Sequence, residues 1–287
     1  MTVVEMQRVG VPDDVVMSEP PPMLGRPSRV RANGAALLWA LLGFGIFVGA
    51  WALVAASAPD LASPAKSFDA LWALLGDAFH DGGVNDKGVG LQLLSSLQRV
   101  FTGFAWAMVV GIPVGLLIGT NRRAWQAVNP LIQLLRPVSP LAWFPIWLVI
   151  FKSTSDAAIW VIFMTALWPI VLNTAAGAAS VPADQRNVAS VFHLGRLTYL
   201  RRIVIPHSMP SIVTGLRTSM GVAWMVIVAV EMLSGGDGIG FFVWNAYNAG
   251  NQAQVIAAII LIGTVGLVLD HLFLRLARRV APEEVRP

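Results

Sequence analysis

A chain of 287 residues that is 56% hydrophobic and only 13% charged is no soluble domain, for which about 45–50% apolar and 25% charged residues are typical. Without a cysteine it offers neither disulfides nor thiolate metal ligands, and no metal site is expected. Its net charge of +4 would suit nucleic acid, but in so apolar a chain basic residues act first as topological signals, and no nucleic-acid partner is expected.

Residues 1–33 hold Pro20-Pro21-Pro22 and scattered charges with no apolar periodicity, which predicts a disordered tail. The first span of membrane length runs from about Ala35 to Ala58. Ala56-Ser57-Ala58 resembles a signal-peptidase site, but the span is too long for a signal-peptide core and follows a long polar leader, so it is read as an uncleaved anchor. Residues 59–95 form the largest external segment, with a short amphipathic helix expected around Phe68–Leu75. Further spans are expected at about Val100–Gly119, Leu131–Phe151, Ala157–Gly177, Ile212–Leu233 and Val255–Leu276. The third of the six is interrupted by Pro137, Pro140 and Pro145. This is the pattern of an all-α membrane protein: a transmembrane domain over 34–280, a loop at 178–211 and a short tail over 281–287.

Arginines fix its orientation. Arg8, Arg26, Arg29 and Arg31 precede the first span, and Arg122 and Arg123 follow the second. Arg186, Arg196, Arg201 and Arg202 lie between the fourth and fifth; Arg275, Arg278, Arg279 and Arg286 close the chain. The alternate loops hold Lys66, Lys87 and Lys152, with Arg99 at the mouth of span two. Short arginine-rich loops stay in the cytoplasm, so both termini are expected there.

The loop Asn187–Pro206, NVASVFHLGRLTYLRRIVIP, is then cytoplasmic, basic and amphipathic. A short helix with an apolar face at the membrane surface suggests a docking element for a soluble partner; the alternative is an interfacial helix with no partner. None of the three lysines completes G-x-x-x-x-G-K-[ST], so this chain has no phosphate-binding loop of its own. His193 is expected at a turn, where His tolerates positive φ better than most residues.

The prolines of span three, with Ser139 and Trp143, point to a water-filled cavity, since freed carbonyls at membrane depth need a polar neighbour; each proline alone is equally a plain kink. Arg136, at the start of that span, either attracts an anion or snorkels to headgroups. Thr165, Trp168 and Asn173 offer neutral hydrogen bonds suited to a singly charged anion that must also leave, or simply join helices. Arg217 and Glu231 are ionisable groups near the two ends of span five and enter as further pathway candidates. No carboxylate falls mid-span, which disfavours a proton-driven relay. Ser234–Gly250, with Phe241, Phe242, Trp244 and Tyr247, reads as a glycine-hinged external turn with either an aromatic belt or a landing surface.

The loop resembles the coupling segment of bacterial ABC importer permeases, which reads E-A-A, three residues, G, nine residues, I-x-L-P. Here Asn187, Val188 and Ala189, then His193, then Ile203, Ile205 and Pro206 keep that spacing, with Asn for Glu and His for Gly. From about Ser96 to Leu276 the chain is similar to permeases of the nitrate, sulfonate and bicarbonate importer family. SLQRVFTGF, RPVSPLAW, LWPIVLNTAAGAASVPADQRNVA and EMLSGGDGIGFFVWNAYN look like its nitrate-type branch. The resemblance implies a type I ABC importer permease fold in the bacterial cytoplasmic (inner) membrane. It also implies a second permease copy, two cytoplasmic P-loop ATPases that bind ATP and Mg, and an extracytoplasmic anion-binding protein; this chain itself would bind no cofactor and catalyse nothing. Val188, Ala189, Val191 and Phe192 would press into a groove of the ATPase, with Asp184, Arg186 and Asn187 at its rim. Pro206 would end the loop's second helical stretch. The expected cargo is nitrate, with nitrite beside it; bicarbonate, cyanate or an alkanesulfonate is the alternative, and a stand-alone channel or secondary transporter the alternative of another class.

Overall fold

A computed structural model describes residues 29–58, 60–83 and 86–280, with side chains described from 38 to 279. The expected tail over 1–33 lies outside the described residues except for 29–33, which already belong to the first helix; the tail over 281–287 lies outside them altogether. Two compact units divide the chain, Met1–Trp51 and Ala52–Pro287. The first holds most of α1 (Arg29–Ser57), long and apolar enough over Leu38–Ser57 to cross a membrane.

The second unit, too, is helical, with one isolated bridge between Asp81 and Lys87. The expected surface helix is α2 (Pro64–Gly76), opened by a Ser63 cap on the Lys66 amide and a proline in its first turn. Then come α3 (Val89–Thr120), α4 (Arg122–Leu135), a 3₁₀ turn at Pro140–Trp143, α5 (Phe144–Phe151) and α6 (Thr154–Ala179). They are followed by α7 (Ala183–Val191), α8 (Arg196–Tyr199), a π turn at Leu200–Val204, α9 (Ile205–Ser234), α10 (Ile239–Asn248) and α11 (Gln252–Val280). Span two starts well before the expected Val100, because its first turns are polar on one side and bury that side.

At the centre, α3 packs on α6 through a stripe of small residues at every fourth position. Gly103 meets Ile162, Gly111 meets Ile170, Gly115 meets Thr174 and Gly119 meets Ala178, a constant offset that makes the two helices parallel. In a bilayer, where apolar burial does not favour helix contact over lipid, close backbone approach of this kind is the main attraction. α9 lies antiparallel on α6: Ser219 Oγ donates to the Ala166 carbonyl at 2.9 Å, and Gly177 meets Ser211. α11 closes on α9 through the Trp224 indole, which donates to the Ile262 carbonyl at 3.0 Å.

Because α3 and α6 are parallel, residues 121–153 must carry the chain back across. They do so as two helices bent by 89° rather than as one span. Pro137 and Pro140 explain the break: each removes a backbone donor, and Ser139, before Pro140, is extended at φ −55°, ψ 128°, while Pro145 sits in the first turn of α5, where its missing donor costs nothing. With α1, the apolar helices account for the six expected spans by length and composition.

A Cβ at Gly115 would sit 2.8 Å from the Val171 carbonyl oxygen and 2.6 Å from the Thr174 Cβ, whereas one at Gly263 meets nothing within 4 Å. Gly115→Val is therefore expected to destabilise the bundle by about 1–3 kcal/mol or more, as overpacking does. Gly263→Val should be silent. Thermal unfolding of the two variants in detergent checks this; equal melting temperatures would refute close packing at the stripe.

Candidate functional site

The C-terminal ends of α3 and α11 and the N-terminal ends of α4 and α9 meet at one end of the second unit, where the arginines of α4, α8, the π turn and α11 gather, and α7 and α8 lie there between α6 and α9. On α7, Val188, Val191 and Phe192 are 51%, 74% and 72% exposed, an apolar face left open by the chain's own fold. Asp184, Arg186 and Asn187 are exposed around it. Ala189, expected on the same face, is instead buried, because at helical spacing it points back toward the bundle.

Past α7 the Leu194 amide donates to the Ala189 carbonyl at 2.9 Å and the His193 amide to the Ser190 carbonyl at 3.1 Å. This is a Schellman stop with His193 in the left-handed position, φ 47°, where a glycine is commonest. The expectation of a turn at His193 holds. Ile203 and Ile205 do not belong to the open face; they pack on Leu116, Ala178, Val181 and Val204 inside the chain. Nor does Pro206 end a helix. The backbone stays helical from Arg196 to Ser234, and the π turn is what admits the proline: widening the coil relieves the clash of its ring with the preceding turn.

Four of the expected pathway residues come together. Arg136, Trp143, Thr165 and Trp168 line a cleft of about 220 Å³ between α4, the 3₁₀ turn, α6 and Val222 of α9. Arg136 caps α4 rather than opening a span, its amide on the Ile132 carbonyl at 2.9 Å. Ser139 is exposed at the start of the 3₁₀ turn and does not line that cleft. Asn173 is committed to its own helix, Nδ2 donating to the Pro169 carbonyl at 2.8 Å. Arg217 is paired: Nε and Nη2 donate to the two Asp270 oxygens at 2.6 and 2.8 Å, both residues half-exposed beside an α9–α11 groove.

Glu231 lines none of these clefts. It is 1% exposed and forms the centre of a polar cluster at the opposite end of the bundle. Arg99 Nη1 donates to its Oε1 at 2.8 Å, Ser96 Oγ to its Oε2 at 2.8 Å, and the Gly240 amide to Oε2 at 3.1 Å. Arg99 also pairs with Asp237 and donates to Ser155 at 3.1 Å, while Lys87 stands 3.7 Å from Asp237. The amides that open α10 are satisfied in turn: Gly238 by Gln92, Ile239 by Ser96 and Gly240 by Glu231. Gly238, at φ 120°, leaves room for the Glu231 carboxylate that any side chain would fill. Burial raises the Asp237 carboxyl, but Arg99, Ser95 and Lys87 outweigh it and hold it below the usual range. Its share of stability is therefore present at neutral pH and lost as pH falls through that lowered value.

The cluster locks the external turn onto α3 and α9. Sequence reading missed Gln92, Ser96, Arg99 and Asp237; the available signal was that Arg99 is an arginine among loops that otherwise carry only lysine. Beyond the cluster, Trp244 and Tyr247 are exposed and stacked with ring centroids 5.8 Å apart.

Residues 111–282 match the family model described as "binding-protein-dependent transport system inner membrane component". The chain is 42% identical to the nitrate import permease NrtB of Leptolyngbya laminosa, over 91% of this chain and 98% of that one. It is 44% identical to the bicarbonate transport system permease CmpB of Synechococcus elongatus, over 85% of this chain and 88% of that one. Among solved structures it is similar to the inward-facing MetNI methionine ABC transporter, with a TM-score of 0.60 and 17% identity, covering 67% of this chain and 96% of that one. That likeness identifies the fold as the type I importer permease fold.

Proposed function

We propose that this chain, which belongs to the family of binding-protein-dependent transport system inner membrane components, is the permease through which an ATP-driven importer moves nitrate across the inner membrane. Its similarity to nitrate import permeases over nearly the whole length is the observation that carries the anion. The open face of Val188, Val191 and Phe192 supports the coupling, since it offers an ATPase groove three apolar side chains on one rigid, capped helix. ATP and Mg belong to cytoplasmic ATPase subunits, a second permease completes the pathway, and a soluble anion-binding protein delivers cargo outside. ATP-driven closure of the ATPases draws the α7 helices together and turns the pathway outward; release of the products resets it.

Bicarbonate is the second reading, because permeases named for it are as similar as those named for nitrate. The delivering protein sets most of the substrate choice, so permease sequences differ little between the two. Uptake of labelled nitrate by cells with and without the chain decides, in competition with nitrite, bicarbonate, cyanate and taurine. Uptake lost with the chain and competed chiefly by nitrite is the expected result; nitrate uptake that persists without the chain would reject the substrate.

A further inference from the structure

Three clefts run along one side of α4 and share walls. The first, about 510 Å³, lies at the arginine-rich end between α3, α4, α6 and α7, with Arg122 and Arg186 among its walls. The second, about 660 Å³, shares Trp125 and Leu172 with the first and Arg136 with the third. The third is the cleft of Trp143, Thr165 and Trp168. They form one succession from the proline-broken span to the coupling helix.

Arg122, Trp125, Asn129, Gln133 and Arg136 fall at intervals of three or four residues, so they make one stripe along α4, about 20 Å long at 1.5 Å per residue. No carboxylate lines any of the three clefts. The side chains of Arg122, Arg136 and Arg186 have no ion-pair or hydrogen-bond partner among the described residues, unlike Arg99 and Arg217, each held by a carboxylate. An arginine without a counter-ion, facing a cleft with only amide and indole groups between it and the next, is arranged for an anion from outside the chain. Neutral groups between the charges let the anion leave each one, which through-passage requires.

We infer that the Arg122–Arg136 stripe of α4, completed by Arg186 of α7, is the inner half of the anion's path, along which a small monovalent oxyanion is handed from Arg136 to Arg122 and Arg186. The assignment rests on the nitrate-importer reading. It also ties coupling to release: Arg186 sits on the helix that the ATPase moves, so one of the two charges at the exit shifts with the docking helix.

The test uses the complete transporter in proteoliposomes, reading labelled nitrate moved per ATP hydrolysed for the wild type, Arg136→Gln and the double variant Arg122→Gln/Arg186→Gln. A wild type that moves no nitrate indicts the importer reading and not the stripe. With a working wild type, the ratio is expected to fall about tenfold or more in each Gln variant, a change of about 1.4 kcal/mol or more in the passage step. Lys variants at the same positions keep charge and stem and should retain about half the ratio or more. A ratio within about twofold of wild type in the Gln variants would overturn the proposal, as would an equal loss in the Lys variants. The oxyanion of a lipid headgroup has the same chemistry, so vesicles with and without phosphatidylglycerol are compared. A defect confined to anionic vesicles would assign the stripe to lipid and overturn the transport role.

Discussion

Arg99→Ala is expected to cost about 3–5 kcal/mol, the usual penalty for leaving one member of a buried ion pair alone. The arginine is 12% exposed and sits between Glu231, which is 1% exposed, and Asp237. Removing it leaves the buried Glu231 charge without a counter-ion, held only by the Ser96 hydroxyl and the Gly240 amide, strips a donor from the Asp237 carbonyl and loosens Ser155 at the start of α6. Few membrane bundles have that much stability to spare, so the variant should be scarce in membranes and melt early in detergent. Adding Glu231→Gln should recover part of the loss, because the stranded charge goes with it while Ser96 and Gly240 keep a polar partner. Thermal unfolding of the single and double variants measures this coupling. An Arg99→Ala chain as stable as wild type would show that the cluster does not hold the external turn.

Charging the open face of α7 should act on the partner and not on the fold. Val191→Asp and Phe192→Asp place carboxylates on side chains already 74% and 72% exposed, so insertion and melting should not change. Apolar anchors at the centre of an interface typically contribute about 2–4 kcal/mol each, so ATPase association should weaken by about thirtyfold or more. Ala189→Asp is expected to behave differently. Its site is 8% exposed inside the chain, so the charge should lower thermal stability first and ATPase binding only as a consequence. Co-purification of the ATPase with each variant, beside a melting curve, separates the two cases. ATPase retained by a chain carrying both Val191→Asp and Phe192→Asp would end the docking role of this face.

Much of this architecture was legible because membrane spans depend on length and apolarity, which a single sequence displays. The positive φ at His193 followed from the spacing of its motif. What sequence did not yield were relations between distant residues. The stripe from Gly103 to Gly119 is periodic along α3 but was not read in the sequence, and its partner α6 depends on three-dimensional packing. Glu231 reads as a pathway group because an ionisable residue in a span suggests transport, whereas its partners lie 132 and 135 positions earlier in the chain. Ala189, Ile203 and Ile205 share a motif with the docking residues but face inward, and only the helix's orientation shows it. Pro206 misled because a proline ordinarily stops a helix, and the π turn that admits it leaves no sequence mark.

The central claim is that nitrate crosses through this chain only when an ATPase drives it. The most direct measurement is accumulation of labelled nitrate in proteoliposomes holding this chain and the anion-binding protein, with the ATPase and ATP present or withheld. Accumulation only when both are present is the predicted result. Nitrate flux through the chain without the ATPase would contradict it and make the protein a channel or a secondary transporter.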